Sequence, residues 1–162
     1  WLWRDGLLAR TGALASLAVA LVLALWRPEA TVGSGGTLPT GAVAYSEEQL
    51  RAFQRSGQSV FVDVTTDWCI TCLANKRAVL DTAAVREAFE ASGVVYMVAD
   101  WTDYDPKIAS FVESHGRSGI PLYVMYRSSQ APEVLPQILR RKTVLDAIGH
   151  SGRESVVLAS RG

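Results

Sequence analysis

Cysteine and histidine are scarce in this sequence, which has two of each among its 162 residues. The two histidines, His115 and His150, lie far from the cysteines and from each other. A structural zinc site needs four ligands, so this count argues against one. Acidic and basic residues balance to a net charge of zero, without a strongly basic patch. We therefore expect no nucleic-acid partner.

The two cysteines come shortly after a sequence pattern that is typical of a buried strand. Residues 60–65 are VFVDVT, and Cys69 and Cys72 come soon after, where a helix is expected to begin. Unpaired N–H groups at a helix N-terminus favour an anion, and in Cys-x-x-Cys sites the thiol pKa falls to roughly 3.5–7.5. We predict that Cys69 attacks a partner disulfide and that Cys72, one turn on and more buried, resolves the mixed disulfide. A purely structural disulfide across so short a loop would remove little unfolded-state entropy.

Asp63 is a carboxylate inside an otherwise apolar strand. Burying it costs several kcal/mol unless the group has a partner or a chemical role. We interpret Asp63 as the proton acceptor for Cys72. The alternatives are a buried carboxylate satisfied by hydrogen bonds and a residue at the edge of the strand.

A long apolar segment, residues 6–26, predicts a transmembrane helix. About 20 such residues span a bilayer core, and Arg10 is the one charged residue in the segment. A signal peptide would have a shorter apolar region and a small-residue cleavage site, whereas Trp26 and Arg27 end this one. Uniform apolarity also argues against a buried helix of a soluble protein. Basic residues Arg4 and Arg10 near the start weakly favour the start inside the cell and the rest of the chain outside.

The rest of the sequence predicts a tether and one folded domain. Residues 28–44 are rich in glycine, proline and serine without a core pattern. Strand and helix patterns then alternate, with predicted helices over 69–80 and 143–150. The sequence opens on Trp1 and not on methionine, so we expect a longer protein whose upstream part is embedded in the membrane. We divide the chain into a transmembrane segment (1–27), a flexible linker (28–44), a folded domain (45–150) and a C-terminal tail (151–162).

Two motifs and one acidic residue together resemble one family. The stretch 67–72 is DWCITC, Asp63 lies six residues before Cys69, and the stretch 119–123 is GIPLY. This combination resembles the C-terminal periplasmic domain of the DsbD and ScsB-like thiol:disulfide interchange proteins over about residues 45–150. The apolar segment before it is similar to the last membrane span of that family. The resemblance implies an α/β thioredoxin fold, a central mixed sheet flanked by helices, preceded by one transmembrane helix.

The resemblance also implies a function in the bacterial inner membrane. A membrane-embedded thiol donor, upstream in the same protein, would reduce this domain, which would then reduce a disulfide acceptor in the periplasm. No cofactor is implied beyond the redox-active Cys69–Cys72 disulfide. The site residues carried over are Cys69 as the nucleophile, Cys72 as the resolving thiol, Asp63 as the buried base, Pro121 as a cis-proline facing the disulfide, and Trp68 and Ile120 as the lining of the partner groove.

One position departs from some members of the family. They have an acidic residue four positions after the second cysteine, where it can raise thiol pKa values, whereas this chain has Lys76. We therefore expect the Cys69 thiolate to be better stabilised here than in those relatives.

Two other functions fit the same sequence. One is a single-span, membrane-anchored thioredoxin-like reductase that serves cytochrome c maturation. Further apolar segments with two more cysteines upstream would favour the relay, and a start codon just before Trp1 would favour the anchored reductase. The other is a non-catalytic interaction module with a thioredoxin fold, which the intact Cys69 and Cys72 argue against.

Overall fold

One mixed β-sheet forms the centre of the described structure, a computed structural model that covers residues 38–128 and 130–149. Its strands are β1 (Val43–Ala44), β2 (Val60–Thr65), β3 (Val95–Asp100), β4 (Leu122–Tyr126) and β5 (Glu133–Val134). Their order across the sheet is β1-β3-β2-β4-β5. Strands β1 and β2 run parallel to β3, while β4 is antiparallel to both β2 and β5.

Helices connect most of these strands. They are α1 (Glu47–Arg55), α2 (Ile70–Asn75), a π-helical turn (Lys76–Leu80), α3 (Ala83–Ser92), α4 (Pro106–Ser114) and α5 (141–149). Sequence signals mark several ends. The hydroxyl of Ser46 caps α1 by accepting the N–H of Gln49 over 3.2 Å. Gly93, at a φ of 67°, ends α3 in the left-handed conformation that glycine adopts most easily.

The sheet separates two apolar cores, because successive side chains of a strand point to opposite faces. On one face, Phe61 packs with residues of α3 and α5 such as Phe89 and Ile148. On the other, Val62 packs with residues of α1 and α4 such as Phe111. The predicted α/β architecture, a mixed sheet flanked by helices, is confirmed. Two residues on from Phe61, Asp63 projects from the same face of β2 as the first core.

The helix predicted over residues 69–80 is not regular. Its α-helical part, α2, ends at Asn75, and the chain continues as the π-helical turn. There the N–H of Asp81 donates to the carbonyl oxygen of Lys76 over 2.8 Å, five residues back. Such a turn holds more residues than an α-helical one. The apolar spacing of the sequence does not mark this widening.

Two boundaries differ from the sequence prediction. Val43–Ala44, inside the segment assigned to the linker, pairs with Met97 and Val98 and forms an edge of the sheet. The final helix runs over 141–149 and so begins before residue 143.

Among residues 38–128 and 130–149, no helix is long and apolar enough to cross a membrane. The predicted transmembrane segment, residues 6–26, lies outside the described residues, as do the tail and the first part of the linker.

Candidate active site

The two cysteines form a disulfide at the start of α2, with their Cα atoms 5.2 Å apart. Strand β2 ends at Thr65, and the short turn after it brings Cys69 to the N-cap position of the helix. The sulfur of Cys69 accepts a hydrogen bond from the N–H of Cys72 over 3.1 Å. Cys69 is partly exposed, whereas Cys72 is only 2% exposed. A partner can therefore reach Cys69, while Cys72 is placed to react within the chain.

Asp63 lies on β2 and is buried, with 3% of its surface exposed. The hydroxyl of Tyr96 donates a hydrogen bond to Oδ2 of Asp63 over 2.8 Å. Oδ1 has no hydrogen-bond partner among the described residues. Burial raises the pKa of Asp63 from 3.8 to about 6, although the hydrogen bond from Tyr96 and the charge of Lys76 oppose the rise. A carboxyl group with a pKa near neutrality can both accept and release a proton under physiological conditions.

Lys76 lies in the π-helical turn, where its positive charge lowers the pKa of Asp63. The sequence suggested an effect of Lys76 on the thiolate of Cys69, which stays a prediction. The structure adds a second effect, because the same cation favours the charged form of the buried acid.

Pro121 lies at the same end of the sheet as the disulfide. Strand β4 runs antiparallel to β2, and Leu122 pairs with Val64. The start of β4 is therefore next to the end of β2, from which the cysteine turn departs. The Ile120–Pro121 peptide is cis, as the family resemblance implied. Pro121 is buried, and Ile120 is half-buried against the core of α1 and α4.

An exposed aromatic pair, Trp68 and Tyr104, borders the cysteine turn. Trp68 is 52% exposed and Tyr104 is 64% exposed. Tyr104 has a φ of 56°, which is unusual for a residue other than glycine. Ile70, directly after Cys69, is also highly exposed. Large apolar side chains rarely lie exposed in one place without a partner, so this surface is a candidate docking face.

The side chain of Asn75, which sequence reasoning missed, connects the active-site helix to its surroundings. Its amide nitrogen donates to the hydroxyl of Tyr123 over 3.0 Å and to the carbonyl oxygen of Gln137 over 2.6 Å. Its amide oxygen accepts the N–H of Leu139 over 3.1 Å. Asn75 lies three residues after Cys72 and therefore on the same helix face. A polar residue on a face that is expected to be buried was the one sequence signal for a buried hydrogen-bonding role. The partners, more than 45 residues away in sequence, gave no signal.

Tyr96 is the second residue that sequence reasoning missed. It lies in β3 within an apolar run, and its ring packs among the core aromatics Phe61 and Phe89. Nothing in the run distinguishes this tyrosine from a core residue. Its contact with Asp63 depends on the pairing of β2 with β3.

Among the described residues, no group of three or more histidine, cysteine, aspartate or glutamate side chains could hold a metal ion.

A disulfide of the Cys-x-x-Cys type, at the helix that follows a central strand of a mixed sheet, defines a redox domain of the thioredoxin class. The sequence model of the Thioredoxin-like family matches residues 42–128, more than half of the chain. The chain belongs to that family. Oxidoreductases of this fold use no cofactor beyond their redox-active cysteines. A sequence comparison with curated proteins found no match.

Solved structures show the same fold. The C-terminal domain of DsbD from Neisseria meningitidis matches in its reduced form with a TM-score of 0.54 and 19% identity, over 67% of this chain and 99% of that one. Its oxidised form matches with a TM-score of 0.55 and 20% identity, over 68% and 99% of the two chains. A thioredoxin from Thermus thermophilus matches with a TM-score of 0.52 and 21% identity, over 68% and 86%. At these identities the likeness shows the fold alone.

Proposed function

We propose that this chain is a thiol-disulfide oxidoreductase domain that relays electrons from a membrane-embedded donor to disulfide acceptors in the periplasm. The observation that carries the proposal is the Cys69–Cys72 disulfide at the start of α2, with one sulfur accessible and the other buried. The buried acid Asp63, on the strand that leads to this helix, supplies the group that such exchange needs to move a proton.

The reduced domain would pass electrons on in two displacements. The thiolate of Cys69 attacks one sulfur of the partner disulfide, and the other partner sulfur leaves as a thiolate that takes a proton from solvent. Asp63 then accepts the proton of Cys72, and the Cys72 thiolate attacks Cys69. The Cys69–Cys72 disulfide forms and the second partner thiol is released. The domain loses two electrons and the partner gains them.

The donor side is proposed to reverse these displacements. A dithiol of the membrane-embedded donor, upstream in the same protein, would reduce the Cys69–Cys72 disulfide again. The predicted transmembrane helix, residues 6–26, would hold the domain at the periplasmic face of the inner membrane. The resemblance to the DsbD and ScsB-like proteins supports this arrangement, and so does a linker long enough for the domain to meet donor and acceptor in turn.

A reduction potential tests the direction of electron flow. Oxidising members of the fold have reduction potentials of about −120 mV because their reduced form is strongly stabilised. The reduction potential of thioredoxin is about −270 mV. We expect the full chain, equilibrated in buffers of reduced and oxidised glutathione, to give a value closer to that of thioredoxin. A potential close to that of the strong oxidants would contradict the assignment as a reductant.

Trapping tests the relay itself. A Cys72→Ser variant keeps the attacking sulfur but cannot resolve the mixed disulfide, so it should accumulate covalent complexes in cells that express it. We expect these complexes to contain a periplasmic protein on the acceptor side. The mixed disulfide with the donor should instead form as a cross-link within the longer chain, because the donor is proposed to lie upstream in the same protein. The matched Cys69→Ser variant should trap far less, because Cys72 is buried. Complexes formed only with cytoplasmic proteins would contradict the proposed location.

A further inference from the structure

We propose that Tyr96 is a positioning residue for proton transfer at the candidate active site: its hydroxyl holds Oδ2 of Asp63 and leaves Oδ1 as the oxygen that accepts the Cys72 proton. This inference rests on the proposed function, because it assigns a role within the same exchange reaction. It is carried by the contacts of two buried side chains on neighbouring strands.

The hydrogen bond between these side chains is well defined. Tyr96 and Asp63 lie on paired strands and are 8% and 3% exposed, and the distance from the Tyr96 hydroxyl to Oδ2 is 2.8 Å. A phenol hydroxyl has one proton to donate, and it is directed here to one carboxylate oxygen. Oδ1 has no partner among the described residues. The pair therefore has one oxygen fixed by a donor and one oxygen free to take a proton.

Other charged and titratable groups surround Asp63 and act on it less directly. The positive charge of Lys76 favours the carboxylate, and the negative charge of Asp81 opposes it. The hydroxyl of Tyr123, on β4, accepts a hydrogen bond from Asn75. Within the described residues, Tyr96 is thus the group that donates a hydrogen bond to Asp63.

Tyr96 borders both the buried acid and a cavity. It lines a cavity of about 100 Å³, together with Asp81, Arg86 and Glu90. A cavity of this size, with polar groups in its wall, is large enough for water. The residue that holds Oδ2 of Asp63 therefore also forms part of the wall of this cavity.

A Tyr96→Phe variant tests the proposal because it removes the hydroxyl and keeps the ring in the core. A hydrogen bond to a carboxylate stabilises the charged form, so its loss should raise the midpoint of Asp63 ionisation by about one pH unit. This midpoint can be followed by carbon NMR of the labelled carboxyl group in the oxidised full chain. In single-turnover reduction of a protein disulfide, the rate should fall by up to about tenfold near pH 5.5 and recover above about pH 8.5.

Tyr126→Phe is the matched control. Tyr126 is equally buried in the sheet, but it faces the other core, and its hydroxyl lies 2.8 Å from Nε2 of His115. This variant should lose stability without moving the ionisation midpoint of Asp63 or the pH profile. Equal profiles for Tyr96→Phe and the wild type would overturn the inference, even if the variant unfolded more easily. Failure of the proposed function would look different, since the wild-type chain itself would then reduce no disulfide.

Discussion

The rings of Trp68 and Tyr104 stack on each other, with their centroids 5.7 Å apart and an angle of 24° between their planes. Trp68 directly precedes Cys69, whereas Tyr104 belongs to the loop after β3. The N–H of Asp67 donates to the hydroxyl of Thr102 over 3.0 Å, which ties that loop to the cysteine turn. The aromatic surface beside the disulfide is therefore wider than Trp68 alone, the residue that the sequence predicted.

We expect Tyr104 to contribute to the binding of protein partners. A Tyr104→Asn variant removes the ring, while asparagine tolerates the left-handed backbone at this position better than alanine does. The variant should show a several-fold lower kcat/KM toward a protein disulfide, mainly through a higher KM, because an exposed aromatic contact is lost. Its rate with a small disulfide such as oxidised glutathione should stay unchanged. An exposed residue of the same loop, Asp103, offers Asp103→Asn as the control.

Asn75 is expected to stabilise the loop that follows β5. An Asn75→Ala variant leaves the buried N–H of Leu139 and the carbonyl group of Gln137 without their partner. Each buried polar group left unpaired costs about 1–3 kcal/mol, so the free energy of unfolding in urea should fall by about 2 kcal/mol or more. Tyr123→Phe removes one of the three hydrogen bonds of Asn75, so its free energy of unfolding should fall by less than that of Asn75→Ala. Equal losses in the two variants would contradict this account.

The sequence predicts the parts of the fold that depend on local patterns. The apolar run of β2, the serine cap of α1 and the glycine after α3 each act over a few residues, and each element formed near the predicted place. The positions of Cys69 and Cys72 at a strand-to-helix junction follow from the same local signals. Such features need no knowledge of which strands pair.

The parts that the sequence did not predict depend on contacts between distant segments. The bond from Tyr96 to Asp63 spans 33 residues, and the contact from Asn75 to Leu139 spans 64. The strand Val43–Ala44 is two residues long and exists only because β3 offers an edge beside it. A two-residue segment among glycine and proline has no periodicity of its own, so it resembled a linker.

Cys69 should be the reactive thiol of the reduced domain. Its sulfur lies at the start of α2 and accepts an N–H, which favours the thiolate, whereas Cys72 is buried. In a Cys72→Ser variant, we expect Cys69 to react with iodoacetamide at pH 6–7 much faster than a free cysteine does. Cys69→Ser provides the comparison for Cys72, which should react slowly. A further Lys76→Glu substitution should slow Cys69 if the lysine stabilises its thiolate.

Ionisation of Asp63 is expected to destabilise the oxidised domain. Burial raises the pKa of Asp63 from 3.8 to about 6 in the folded chain. Between these two values the folded chain holds a proton that the unfolded chain releases, so stability falls as the pH rises. Above about pH 6 both forms are ionised and the loss is complete. This rise in the pKa corresponds to a total loss of about 3 kcal/mol in the free energy of unfolding.

An Asp63→Asn variant should therefore become more stable relative to the wild type as the pH rises. Asparagine has no charge to bury, so its own cost from altered hydrogen bonding does not change with pH. Urea unfolding of both oxidised chains from pH 4 to pH 7 should show the difference in free energy of unfolding growing by about 2 kcal/mol in favour of the variant. A difference that does not change with pH would mean that Asp63 ionises as easily in the folded chain as in the unfolded one. The same variant should also reduce protein disulfides more slowly at pH 7, because the proton of Cys72 then has no acceptor.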